Sequence, residues 1–152
     1  MPPIRHDNSS PSILGLTVAA FIFDPAGRIL LIKENYGRHR YGPPGGTIEA
    51  GENPKQALIR EVLEETGATV AIAHLIGVYH FVPANGDPWM TFAFRCEIEH
   101  GQPAVPNSGE IAEVAWFDPY QLPFPLTNLV PHALSDALRG ARGIMSDTIY
   151  LS

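Results

Sequence analysis

Residues 46–68, GTIEAGENPKQALIREVLEETGA, constrain this chain more than any other stretch. Asn53 is a good N-cap, Pro54 suits the first helical position, and Gly67 readily takes the left-handed conformation just past a helix end. The pattern predicts a helix over 54–66, roughly 20 Å long at the α-helical rise. Ala57, Leu58, Val62 and Leu63 form its apolar stripe. Glu61, Glu64 and Glu65 share a neighbouring face, because positions three and four apart are adjacent on a helix.

Like charges at that spacing repel by about 0.2–0.5 kcal/mol per pair. A solvated acidic face is the ordinary reading of a lone Glu-Glu pair. Three carboxylates on one patch, with Glu52 at the helix entrance, fit better as a site for a hard divalent cation. Mg²⁺ takes oxygen ligands and keeps waters that it presents to a substrate phosphate.

The segment resembles the signature of the Nudix hydrolases. That pattern is Gly, five residues, Glu, seven residues, Arg-Glu, an apolar residue, any residue, Glu-Glu, any residue, Gly and an apolar residue. Here Gly46, Glu52, Arg60, Glu61, Val62, Glu64, Glu65, Gly67 and Ala68 fill it. Seven fixed identities arise by chance about once in 10⁸ starting positions. Ala68 stands where the family usually has a larger aliphatic residue, which bears on packing more than chemistry.

The resemblance implies an α/β/α sandwich with a mixed β-sheet. It also implies hydrolysis of a nucleoside diphosphate linked to another moiety, with Glu61, Glu64 and Glu65 as ligands to Mg²⁺, or alternatively Mn²⁺. The carbonyl of Gly45 joins that ligand set by the same resemblance, since Pro44-Gly45-Gly46 keeps the family's Pro-Gly-Gly approach. Tyr41 and Pro43 depart from it. Glu64 is expected to be catalytic as well, although any of the three glutamates could orient the attacking water. Arg60 is expected to hold one of them in place, with Glu64 one turn beyond it, and Glu52 is a partner for Arg60 in preference to a ligand. Glu110, ahead of a segment ending in Trp116-Phe117, matches a region from which some members draw a glutamate that activates water or binds metal. Glu113 is the second choice, and a solvent-facing role remains open for both.

The length of 152 residues is expected to make one domain over 13–152, with a poorly ordered, proline-rich tail at 1–12. A formal charge of −6 argues against binding a nucleic-acid polymer, which needs a basic face. The single cysteine, Cys96, alternates with Phe92, Phe94 and Ile98, so it is expected to be a buried thiol in a reducing, cytoplasmic setting. Residues 13–23 are too short an apolar run to span a membrane and are expected to form a hairpin with 28–33 through the turn at 24–27.

Beyond the hairpin, 34–46 is too rich in glycine and proline for regular structure. Arg38, His39 and Arg40 are its dense positive cluster, with Arg38 and Arg40 candidates to grip a substrate phosphate, a solvated loop being the alternative. Residues 69–82 read as one or two strands and 89–98 as their partner. His80 and Phe81 are candidates to face a nucleotide, or one is core and the other exposed, because strand neighbours face opposite ways. A strand follows Glu110, and a closing helix over 129–139, stopped by Gly140, is expected to pack through Ala133, Leu134, Ala137 and Leu138.

The favoured reading is a metal-dependent pyrophosphohydrolase acting on a small nucleotide, either an NTP or dNTP or an ADP-ribose-like compound. An inactive binding module and an isoprenoid diphosphate isomerase are the alternatives. The complete acidic set counts against the first, and the intact signature and short chain against the second. Pro83, fifteen residues after Ala68, resembles a position in ADP-ribose-hydrolysing members, but 15 prolines in the chain dilute that signal. Many family members form homodimers, though no sequence feature marks the surface.

Overall fold

The computed structural model describes residues 13–152, and the expected tail at 1–12 lies outside the described residues. In chain order the elements are β1 (Gly15–Ile22), β2 (Ile29–Glu34), β3 (Tyr41–Gly42), β4 (Gly45–Thr47) and α1 (Pro54–Thr66). They continue with β5 (Thr69–Val82), β6 (Trp89–His100), β7 (Ile111–Phe117), α2 (Val130–Leu138), β8 (Ile144–Met145) and β9 (Ile149–Tyr150).

The main sheet has the order β4-β1-β6-β5-β8, with β9 also on β5. It is mixed, because β1 runs parallel to β6 while β4 and β5 run antiparallel to their neighbours β1 and β6. A smaller antiparallel sheet has the order β3-β2-β7.

Alternation along β1 explains the layers. Ala19, Phe21 and Phe23 enter one core cluster with Ala133, Leu134 and Ala137 of α2. Val18, Ala20 and Ile22 enter another with Ala57, Leu58 and Val62 of α1. A strand apolar on both faces needs cover on both, and one helix supplies each side. The result is the α/β/α sandwich.

The hairpin expected over 13–33 closes only at its turn. Gly27 N donates to Asp24 O at 2.9 Å, and a single bridge joins Phe23 to Ile29. Past that bridge the strands part into different sheets, because β4 and β6 already occupy both edges of β1. The 34–46 segment is also more regular than expected, since it contains β3 and β4. Glycine makes this feasible: a Cβ on Gly45 would overlap the Val18 carbonyl across the β1–β4 pair.

Helix α1 has the expected caps. Asn53 Oδ1 accepts from Gln56 N and Gln56 Oε1 from Asn53 N, both at 2.9 Å, which closes a capping box. Gly67, at φ 76°, ends the helix with its N–H donated to Leu63 O at 2.9 Å. Its stripe is shifted, however. Leu63 is 48% exposed, and Thr66 fills the interior position, its hydroxyl donating to Val62 O at 2.7 Å. Ala68 is fully buried where the 101–104 loop crosses; a Cβ on Gly101 would lie 3.3 Å from its Cα. A larger residue at position 68 has little room there.

β5 is one strand with three register shifts against β6. Cys96 is buried on the α1 side, and burial pushes its thiol up to about 12. On α2, Val130, Ala133, Leu134 and Ala137 face inward while Leu138, expected among them, is exposed. Tyr79 ties α2 to β5 by donating to Asp136 Oδ2 at 2.6 Å. No helix among the described residues is long and apolar enough to cross a membrane.

Candidate active site

Arg60 is the hub of the site. Its Nε and Nη2 grip Glu52 in a two-pronged pair at 2.7 and 2.9 Å, and Nη2 also donates to Thr47 O at 3.0 Å. Nη1 reaches Glu61 Oε1 at 3.0 Å and Glu64 Oε2 at 3.3 Å. The fork geometry is one that arginine alone offers a carboxylate. It holds the Glu52 carboxyl down at about 2, while Glu52, in turn, keeps Arg60 charged far beyond ordinary conditions. Glu52 therefore sits with the guanidinium.

Glu65 has the opposite environment. Burial raises its carboxyl to about 8 against the lowering effect of the Gly45 N–H, which donates to Oε1 at 2.7 Å. The charges of Glu61, Glu64 and Glu110 raise it further. Burial also raises Glu61, with Arg60 opposing. Its carboxylate lies over Gly46, where a Cβ would come within 2.5 Å of Cδ. That contact explains a glycine at 46 better than flexibility does. Glu64 is more than half exposed beside Arg60.

Among the described residues no three acidic, histidine or cysteine side chains already surround a point that an ion could occupy. Glu61 and Glu64 are engaged by Arg60, and Glu65 by Gly45. The donor chemistry nevertheless fits a hard divalent cation: the groups are all oxygen, crowded and negative, and burial together with neighbouring carboxylates pushes two of them, Glu61 and Glu65, toward protonation.

The other expected residues divide. Glu110, just before β7, is exposed and close enough for its charge to act on Glu65. Glu113 is engaged elsewhere, accepting from Tyr41 Oη at 2.9 Å. Arg40 is tied to Glu34 at 3.0 Å, whereas Arg38 stands exposed in the β2–β3 loop beside His39, whose φ is 51°.

Phe81 requires a correction. It is 1% exposed and stacked on Trp89 with ring centroids 5.1 Å apart, in the cluster beneath α2. The strand face that takes Phe81 inward leaves its neighbour His80 partly exposed, where it meets Thr148 at 3.0 Å.

Tyr36 was not anticipated. Partial desolvation and the charges of Glu34, Glu65 and Glu110 raise its phenol above the usual range, although the residue is 57% exposed. A loop residue without periodic neighbours leaves no trace of such a position. Elsewhere, a cleft of about 590 Å³ lined by Phe23, Arg95, Cys96 and Trp116 shares no residue with this site.

A sequence model of the NUDIX domain matches residues 14–136. The chain is a Nudix hydrolase. It is 31% identical over 136 residues to a MutT-like protein of Streptomyces ambofaciens, covering 90% of this chain and 84% of that one. A Bacillus subtilis protein described as a candidate 8-oxo-dGTP diphosphatase is 30% identical over 130 residues, with 84% of each chain covered. The crystal structure of a MutT NUDIX hydrolase from Burkholderia pseudomallei superposes with a TM-score of 0.77 at 30% identity, covering 82% of this chain and 98% of that one. As a Nudix hydrolase, the protein is a pyrophosphohydrolase acting on phosphorus-containing anhydrides of nucleotides, and its family works with divalent metal ions.

Proposed function

We propose that this Nudix hydrolase cleaves the pyrophosphate bond of a nucleoside diphosphate linked to another moiety, with Mg²⁺ as its ion and Mn²⁺ as the alternative. An NTP or dNTP and an ADP-ribose-like compound are the two substrate classes. The observation that carries this reading is the division of labour on α1, where one guanidinium fixes Glu52 and spans Glu61 and Glu64 while Glu65, half-buried, accepts from the Gly45 N–H.

Glu61, Glu64, Glu65 and the Gly45 carbonyl would hold the cation. When bound, it neutralises charge on the phosphates and acidifies a water. Arg60 keeps Glu61 and Glu64 at a set spacing, so little reorganisation is needed as charge develops. Glu110 accepts the proton of the attacking water, Glu64 orients that water, and Arg38 grips an outer phosphate. Arg40 serves the same end only by leaving Glu34.

The test is chromatographic separation of the nucleotide products, a nucleoside monophosphate and a phosphorylated remainder, from a panel of dNTPs, oxidised dGTP, ADP-ribose and dinucleoside polyphosphates, with and without Mg²⁺. Turnover that depends on the ion, for at least one compound, is the expected result. Tight nucleotide binding without turnover on any of them would replace the enzyme reading with a binding module. Glu64→Gln should lower kcat by roughly 10²–10⁴-fold while the fold survives.

A further inference from the structure

We propose that Asn35 is a positioning residue that holds Glu110 at the site. The inference rests on the role proposed above for Glu110.

The β2–β7 ladder pairs Ile29 with Phe117 and proceeds in register to Lys33 with Glu113. It then slips, so that Glu34 faces Ile111 and Ala112 has no partner. A slip at the end of a ladder re-aims the residues beyond it. Glu110 lies just past this slip, outside the strand, where a loop glutamate would ordinarily be free.

Asn35 removes that freedom. Its backbone N–H donates to Glu110 O at 2.9 Å, and its Nδ2 donates to Gly109 O at 2.9 Å. Two consecutive carbonyls are thus held from one residue. Gly109 takes φ 79°, which a residue with a side chain seldom adopts, and Glu110 N is met by Ser108 Oγ at 3.3 Å. The anchor is itself fixed: Glu34 accepts from Arg40 Nε at 3.0 Å and Arg40 N at 3.2 Å, and Glu34 O meets His39 Nδ1 at 3.1 Å.

The chemistry requires an amide at position 35. An aspartate would set a carboxylate against the Gly109 carbonyl, with no proton to donate. Asn35 is exposed, so its side chain adds little packing. Its effect lies in where Glu110 is held, and a misplacement of about 1 Å at a reacting group costs up to 10²-fold in rate.

The experiment uses the full chain with Mg²⁺ and the best substrate of the panel. Asn35→Ala, Asn35→Asp, Glu110→Gln and Asn35→Ala with Glu110→Gln are compared for kcat, KM and unfolding midpoint. Asn35→Ala and Asn35→Asp should each lower kcat by about tenfold with KM and the midpoint little changed. On the Glu110→Gln background the same Asn35→Ala change should move kcat less than about twofold, as it should when one residue acts only through the other.

A wild-type kcat for Asn35→Ala overturns the inference, as does an equal loss on both backgrounds. A rise in KM alone would make Asn35 a substrate contact instead. Normal turnover by Glu110→Gln overturns it too, yet leaves the pyrophosphohydrolase reading in place. Wild-type protein that turns over nothing on the panel removes both.

Discussion

The backbone N–H of Gly45 donates to Glu65 Oε1 at 2.7 Å, joining the entrance of the glycine loop to the last turn of α1. That bond is half-buried, and desolvation raises the Glu65 carboxyl from an ordinary 4.5 to about 8. The folded, ion-free protein therefore holds a proton there that the unfolded chain has lost across this range. Stability from this group is full below about 4.5 and declines as pH rises to about 8. Thermal unfolding of ion-free protein should show a midpoint falling by several degrees between those values, on the order of 5 °C. Glu65→Gln should flatten the slope and Mg²⁺ should reverse it. A midpoint that climbs with pH would mean that burial does not dominate at Glu65.

Arg60 spans four glutamates, Glu49, Glu52, Glu61 and Glu64, with one planar group. Arg60→Lys keeps the charge and loses the fork. The Glu52 carboxyl, now held at about 2, should climb toward its ordinary value, which carbon-detected NMR titration reads directly. Activity should fall roughly 10–100-fold through misplaced carboxylates while the fold is retained. An unchanged Glu52 titration would show that the two-pronged pair is not what holds it.

Gly46 is not in the left-handed region, so alanine is allowed by the backbone there. Space is the obstacle, with Cβ placed 2.5 Å from the Glu61 Cδ. Gly46→Ala should move the Glu61 carboxylate and weaken Mg²⁺ or Mn²⁺ binding by about tenfold or more in calorimetry. Stability should change by about 1 kcal/mol or less, because the side chain can swing toward solvent. Equal cation affinity in the variant would argue against Glu61 as a ligand.

Phe81 belongs to the core, so its loss should appear in stability. Phe81→Ala should cost about 3–5 kcal/mol in denaturant unfolding, and the folded fraction should keep its KM. A raised KM with intact stability would return the ring to the substrate.

Much of the site was legible because its residues are local. Arg60, Glu61, Glu64 and Glu65 lie within two turns of one helix, whose periodicity places them on neighbouring faces before any tertiary contact forms. Asn53, Pro54 and Gly67 likewise set the helix ends through backbone preferences of their own. Leu63 and Leu138 were misplaced for a different reason. An apolar residue beside the stripe turns outward when the sheet offers no room, and the sheet's shape is not written in the helix.

Long-range pairing accounts for the rest. The chain around β1 and β2 has the turn and aliphatic runs of a hairpin, but edge competition by β4 and β6 sends the two strands to different sheets. The sequence by itself determined the capped helix, its acidic face and the family. Tertiary structure decided that Glu65 is half-buried against Gly45, that Phe81 is core, and that Asn35 meets Glu110. Caps and helical periodicity act over a few residues, whereas burial and strand pairing depend on which distant segments reach a place first and fill it.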